Sequence, residues 1–477
     1  MNKYKKLAVN TAIFGIGSFG AKIFSLLLNN LYTKHISPSD LYTKSLLETL
    51  IVLLLPVFTF SLTEAIVRYG LDKRYKKKEI FSTAAIIMFV GLAAMLPFVP
   101  LLHFIPILRP ITGYAMLLYI CVFTSALRGL CSQFVRARGM VTLFSIDGIF
   151  TTMTLFIFNV MFISKLGMGV RGFMISIILS DLCSSIFLFI AAGLRKYADI
   201  RSFSKSLGKS MLRFTLPLIP TTLMWTFTGF SDQIFIGNMQ SDSVFLGNDA
   251  AGIYVAATKI PNLLSVLSTI FFQAWNMSAI LENDSEDRNR FYTKVYSAFE
   301  AIVFIGSAAL ILFIKPVSAI LINYSQFPEY KTAYTYTPLL IAAAAFTCLN
   351  LFLSGIYTAT KHTKNAFYTI TAVVIANIIL NLGLIPSWGI QGAAFATFLS
   401  YLLCYCIRMI DARYYVPFRF SLLRTVLNTS ILLLMCIPII FGFKSWIFWE
   451  ILLTAAITFL NFDPLLITVK KLLNREQ

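Results

Sequence analysis

Fourteen stretches of about twenty predominantly apolar residues follow one another along this chain, each long enough for an α-helix to cross ~30 Å of hydrocarbon. They run over residues 10–31, 46–66, 80–102, 111–133, 142–164, 170–192, 212–237, 250–279, 291–315, 333–357, 365–386, 389–410, 422–441 and 446–467. In lipid a backbone must satisfy its own hydrogen bonds, so the expected fold is all-α and polytopic. Composition agrees: of 477 residues, 58% are hydrophobic and 13% charged, more apolar surface than a soluble fold hides.

A net charge of +19 would suggest nucleic acid if it lay on a soluble domain. With the N-terminus in the cytoplasm, however, the Lys and Arg residues gather in cytoplasmic segments. They are densest in the loop Arg68–Lys78 and the linker Arg195–Arg213. That is the positive-inside pattern, and it places both termini in the cytoplasm. No soluble domain presents a basic patch for nucleic acid, whereas attraction to anionic lipid headgroups follows from the same charges. No cleavable signal peptide is expected, because the first apolar segment is full length and lacks a small-residue cleavage pattern.

Nothing in the chain has the spacing of a catalytic or metal site. The cysteines at 121, 131, 183, 348, 404, 406 and 436 all fall within spans, and His35, His103 and His362 stand alone near loops. External loops are too short for an active site outside the membrane, and there is no Gly-rich phosphate loop. No enzyme, cofactor or metal is expected.

The chain repeats itself. Gly169-Val-Arg-Gly172 and Gly389-Ile-Gln-Gly392 both stand at a tight turn that starts a helix, after Asn159 in one copy and Asn381 in the other. Spans 1–6 and 7–12 therefore read as two six-helix lobes in parallel repeat. The N-lobe is 1–192, the cytoplasmic linker 193–211, the C-lobe 212–410 and a C-terminal hairpin 411–477.

Polar residues inside spans are costly and mark pathways or pairs. Lys22 lies amid the first span on a stripe with Thr11, Gly15, Ser18, Ser25 and Asn29, which suggests an anionic substrate. The eighth span carries Lys259, Asn262, Ser265, Thr269, Gln273 and Asn276 on one face; the seventh carries Thr221, Trp225, Thr228 and Asp232. Depth allows Arg128 to pair with Asp147 or to meet substrate, Asp181 to pair with Lys22 or leave it free, and Asp232 to pair with Lys259. Glu300 reads as a coupling-ion site or a satisfied interior acid. Glu64 and Arg68 read as a surface pair.

Certain stretches resemble a family. They are Ser18-Phe-Gly-Ala-Lys22, Gln133-Phe-Val-Arg136, Ser231-Asp232-Gln-Ile-Phe-Ile-Gly237 and Gly252-Ile-Tyr254 through Lys259-Ile-Pro261. With them go Gln273-Ala-Trp275, Gly355-Ile-Tyr357 and Asn377-Ile-Ile-Leu-Asn381 through Gly389-Ile-Gln-Gly392 to Thr397. Together, in this order, they resemble the Wzx-like oligosaccharide flippases of the multidrug/oligosaccharidyl-lipid/polysaccharide (MOP) exporter superfamily, and the related lipid II flippases and MATE transporters. The resemblance implies a MATE-like fold: two lobes around a cavity that admits the headgroup of an undecaprenyl-diphosphate-type lipid-linked glycan, in the bacterial cytoplasmic membrane. It implies cavity cations at Lys22, Lys259 and Arg128, and a groove for the lipid tail beside the last two helices. Coupling to H+ or Na+ would fall to Asp181, Asp232 or Glu300, with Asn29, Thr228, Asn262 and Gln273 as polar lining, and the working unit would be a monomer. A cation-coupled multidrug exporter of the MATE type is the alternative.

Overall fold

A computed structural model describes residues 24–463, apart from 73, 101–103, 283, 284 and 361. Among the described residues the regular structure is all helix, and nine helices are long and apolar enough to cross a membrane. The chain divides into two compact units, Met1–Phe230 and Ser231–Gln477.

In the first unit, α1 covers 24–35, α2 Pro38–Phe58, α3 Leu62–Leu71 and α4 Lys77–Met95. Then come α5 Ala115–Ala137, α6 Val141–Asn159 with a π-helical extension Val160–Lys165, α7 Gly169–Ala191 and α8 Lys205–Thr215. Helix α9, Leu218–Asn238, straddles the boundary. The central α5 packs against α2, α3, α4, α6 and α7.

The second span starts earlier than hydropathy suggests. Ser37 caps α2 through the Asp40 amide and Pro38 occupies the first turn, a strong helix start. Lys44, which the hydropathy window 46–66 leaves outside the span, is thereby placed inside the helix with Glu48. The helix stops at Thr59 because Phe60 and Ser61 take left-handed angles, φ 53° and 51°. The Phe58 carbonyl presses on Gly91 of α4, where any side chain would collide with it.

The basic segment after α7 is tied back to α4. Ser82 Oγ donates to the Tyr197 carbonyl (2.8 Å) and accepts from the Asp199 amide (3.1 Å). Lys78 pairs with Asp199 at 2.8 Å. Helix α8 turns Leu207 and Met211 inward against α3 and α4 and leaves Lys205, Lys209 and Arg213 exposed. Glu64 and Arg68 do not pair; the Arg68 guanidinium stacks on the Phe214 ring at 4.2 Å.

In the second unit, α10 is Asn248–Ala257, α11 Asn262–Glu282, α12 Arg288–Leu312, α13 Ile314–Leu321 and α14 Ala333–Ala359. These are followed by α15 Thr363–Tyr415, α16 Leu422–Ile440 and α17 Trp446–Leu460. Helix α14 is buried along nearly all of its length and forms the core, packing on α10, α11, α12, α15 and α16. Helices α16 and α17 pack on each other and on α12.

Helix α15 is two spans joined at a sharp break at Gly389, φ 57° and ψ −133°. Gly169, its counterpart in the other repeat, has φ 53°. The second glycine of each motif is where the helices crowd. A side-chain carbon at Gly172 would lie 3.1 Å from the Phe162 carbonyl carbon, and one at Gly392 would collide with the Leu384 carbonyl. The two Gly-x-x-Gly turns thus use one geometry: left-handed backbone first, close approach three residues later.

This predicts opposite effects for two nearby substitutions. Gly392→Ala lowers thermal stability in detergent by about 1–3 kcal/mol, because the backbone it meets cannot retreat. Gly383→Ala, with nothing within 4 Å, raises it by about 0.5–1 kcal/mol. Thermal melts of the two variants check both.

Candidate functional site

The most elaborate polar arrangement centres on Asp232, near the end of α9 and 4% exposed. Tyr254 Oη of α10 donates to its carboxylate at 2.6 Å. Asn381 Nδ2 donates at 2.6 Å and Asn377 Nδ2 at 3.2 Å, both from the first half of α15. The Thr397 hydroxyl, from the second half, donates to the other oxygen. Behind this layer, Ser231 Oγ donates to Asn377 Oδ1 at 2.8 Å.

Among the described residues, no cation pairs with Asp232. Lys259, weighed as its partner, lies in the break Thr258–Pro261 between α10 and α11, partly exposed and in no ion pair among the described residues. A buried carboxylate surrounded by neutral donors keeps its negative potential, since dipoles stabilise the charge without cancelling it.

Four of these positions were not singled out as site residues from the sequence: Tyr254, Asn377, Asn381 and Thr397. A signal was present. Asn377 and Asn381 stand four apart, on one face of an apolar helix, where a carboxamide is costly without a partner.

The first unit holds a different cluster. Arg128 of α5 stands between Asp147 of α6 and Asp181 of α7, 3.8 Å from each. Ser184 donates to Asp147 at 2.5 Å, Ser125 donates to Asp181, and Arg128 Nε donates to Ser184 Oγ at 3.3 Å. The carboxylates are buried, while the Arg128 side chain is 33% exposed. One cation therefore serves two acids, and its outward side reaches open space. Lys22, the other partner considered for Asp181, lies outside the described residues.

Glu300 of α12, fully buried, accepts from Arg424 Nη2 and Thr425 Oγ1 of α16, each at 2.5 Å. The structure thus places it as an interior acid that fastens α16 to α12. Asn29 is half-buried and Asn262 exposed; the side chains of Thr228 and Gln273 lie outside the described residues.

Two buried cations escaped the sequence reading. Lys44, 3% exposed, pairs with Glu48 at 2.5 Å and lies over the rings of Tyr32 (4.3 Å) and Phe173 (4.4 Å). Arg408 donates to Thr369 Oγ1, Ser354 Oγ and the Asn350 carbonyl at 3.0, 2.7 and 3.1 Å, stitching α15 to α14.

Fold and polar interior define an all-α, multi-pass membrane protein. No family model matches the chain, and no curated protein matches its sequence. Solved structures do match. The lipid II flippase MurJ, in an inward closed conformation, is similar over 97% of this chain and 100% of its own (TM-score 0.66, 16% identity). An inward-facing multidrug resistance MATE family transporter of the MOP superfamily is similar over 83% and 95% (TM-score 0.65, 16% identity). A MOP superfamily transporter from Pyrococcus furiosus is similar over 85% and 95% (TM-score 0.59, 15% identity). The chain has the fold shared by these MOP superfamily transporters and flippases.

The Glu300–Arg424 pair makes a test by double substitution. Arg424→Ala strands a buried carboxylate and destabilises the protein by about 3–5 kcal/mol, whereas adding Glu300→Gln recovers most of that loss. Thermal melts of the two single variants and the double variant measure the coupling; additive losses would mean the contact does not carry it.

Proposed function

We propose that this protein flips a polyprenyl-diphosphate-linked oligosaccharide from the inner to the outer leaflet of the bacterial cytoplasmic membrane, with both termini inside. Two lobes, 1–192 and 212–410, would alternate access to a polar route for the headgroup while the lipid tail stays in the bilayer. The observation that carries the reading is the full-length likeness to a lipid II flippase. That match takes in 97% of the chain, while the MATE family match cited above leaves out a share comparable in size to the C-terminal hairpin 411–477.

The chemistry fits a diphosphate. Two phosphoryl charges in a low-dielectric route need cations. Lys259, in no ion pair among the described residues, and Lys22, from its place in the first span, are the proposed contacts. Arg128 is the weaker third, because Asp147 and Asp181 already draw on its charge.

Asp232 is the proposed coupling site. A carboxylate, two carboxamides whose oxygens can turn inward, and two hydroxyls suit a proton or a small hard cation such as Na+. Such an ion, or the membrane potential at about 2.3 kcal/mol per charge per 100 mV, would drive the cycle. A cation-coupled drug exporter remains the second reading, favoured by the same observation: an acid without a cationic partner suits a cationic substrate as well. The proposed working unit is the monomer.

The test is flipping in proteoliposomes, with a polyprenyl-diphosphate oligosaccharide bearing a fluorescent headgroup and an impermeant quencher outside. Wild type exposes headgroup above empty liposomes. Lys22→Ala and Lys259→Ala each lose most of that exposure. Asp232→Asn loses its response to an imposed Na+ or H+ gradient. No exposure by wild type, together with efflux of a cationic dye, would replace this reading with the exporter.

A further inference from the structure

In the C-terminal hairpin, α17 turns a line of side chains at 450, 454, 457 and 461 toward α16 and α12, the i, i+4, i+7, i+11 rhythm of one helical face. Its other faces carry exposed Ile447, Phe448, Ile451, Leu452 and Phe459, an apolar surface suited to lipid. At one end of the inward line the polar groups are matched. Asn461 and Asn428 of α16 exchange amide hydrogen bonds at 2.7 and 3.2 Å. At the other end they are not. Glu450 is 0% exposed, and neither carboxyl oxygen has a hydrogen-bond partner. Thr454 Oγ1, one turn on, is also buried and unpartnered.

An ionised carboxylate with no cation and no donor is costly enough in an apolar setting that such a group takes up a proton instead. The surroundings supply no alternative. On α16 the titratable neighbour is Cys436, whose thiol donates to the Leu432 carbonyl at 3.3 Å. Arg424 is committed to Glu300 of α12, and the stretch of α12 beyond Glu300, Ala301–Leu312, holds no titratable side chain. Lys315 of α13 lies over the Trp446 ring at 4.1 Å, one turn from Glu450, and makes no ion pair with it.

We propose that Glu450, with Thr454 beside it, is a proton-binding site in the C-terminal helix pair, separate from the polar centres of the two units. The site holds its proton while α17 lies against α12 and α16. Losing the proton places a bare negative charge in that seam and weakens the packing, so the hairpin is a pH-responsive element. The inference does not depend on what the protein transports.

The experiment compares thermal melts of wild type and Glu450→Gln in detergent from pH 5 to 9, in Na+ and in K+. Glutamine has the shape of the neutral acid, so the two differ least at pH 5, the point of the range nearest the unfolded glutamate's own pKa. A group that holds its proton more tightly when folded contributes stability that is lost as pH rises. The wild-type Tm therefore falls relative to Glu450→Gln on going toward pH 9. Labelling with a hydrophobic carbodiimide, which attacks protonated carboxyls, then marks Glu450 in wild-type peptides by mass spectrometry. Its rate falls about tenfold per pH unit above the midpoint, as the protonated form does.

Parallel Tm profiles across the whole range overturn the proposal, whatever the labelling. So does a Tm rise in Na+ over K+ that Glu450→Gln abolishes, since the ligand would then be sodium.

Discussion

Taking a charged side chain out of water costs several kcal/mol unless something nearby stabilises it, and this molecule meets that cost in three ways. Glu300 has a matched cation and a hydroxyl. Asp147 and Asp181 share one arginine and borrow serine hydroxyls. Asp232 has hydroxyls and carboxamides alone. Each solution fixes which helices must touch: α12 with α16, α5 with α6 and α7, α9 with α10 and both halves of α15. Lipid tails do not favour one helix pairing over another, so in a bilayer such contacts and close-packed small residues do the selecting. Gly355 beneath the Trp275 indole and Gly70 against Ala137 are examples of the second kind.

The two units differ in how their buried acids are held. The first keeps a partly exposed cation with two buried acids; the second keeps a buried acid with neutral donors. In the proposed flippase cycle the anionic headgroup would meet Lys22 and Lys259, and a coupling cation or proton would meet Asp232.

Much of this was legible before the structure. Apolar windows located most of the helices, and the two Gly-x-x-Gly motifs marked turns that share their backbone geometry. Hydropathy misplaced the start of the second span, where a paired charge lies in the first turns of the helix. Lys44 pairs with Glu48, already within the expected span, and so enters α2, which starts at Pro38 and not at 46. Partner choice was the other gap. Depth along a helix gives height in the membrane but not azimuth, so Asp181 was weighed against Lys22 and never against Arg128, and Asp232 was weighed against Lys259. The groups that hold Asp232 come from Tyr254, 22 residues away, and Thr397, 165 away. Nothing local in the chain announces a contact of that range.

The fastening of α16 to α12 has a consequence for how the protein is made. Glu300 and Arg424 are separated by 124 residues, and a ribosome adding about 5–20 residues per second takes roughly 6–25 s between them. For that interval the acid exists without its arginine, and an unpaired carboxyl in an apolar setting has to be protonated or solvated. The helix that carries Arg424 is thus the piece that completes the packing around Glu300, and a chain that stops short of it leaves that buried acid without its cation.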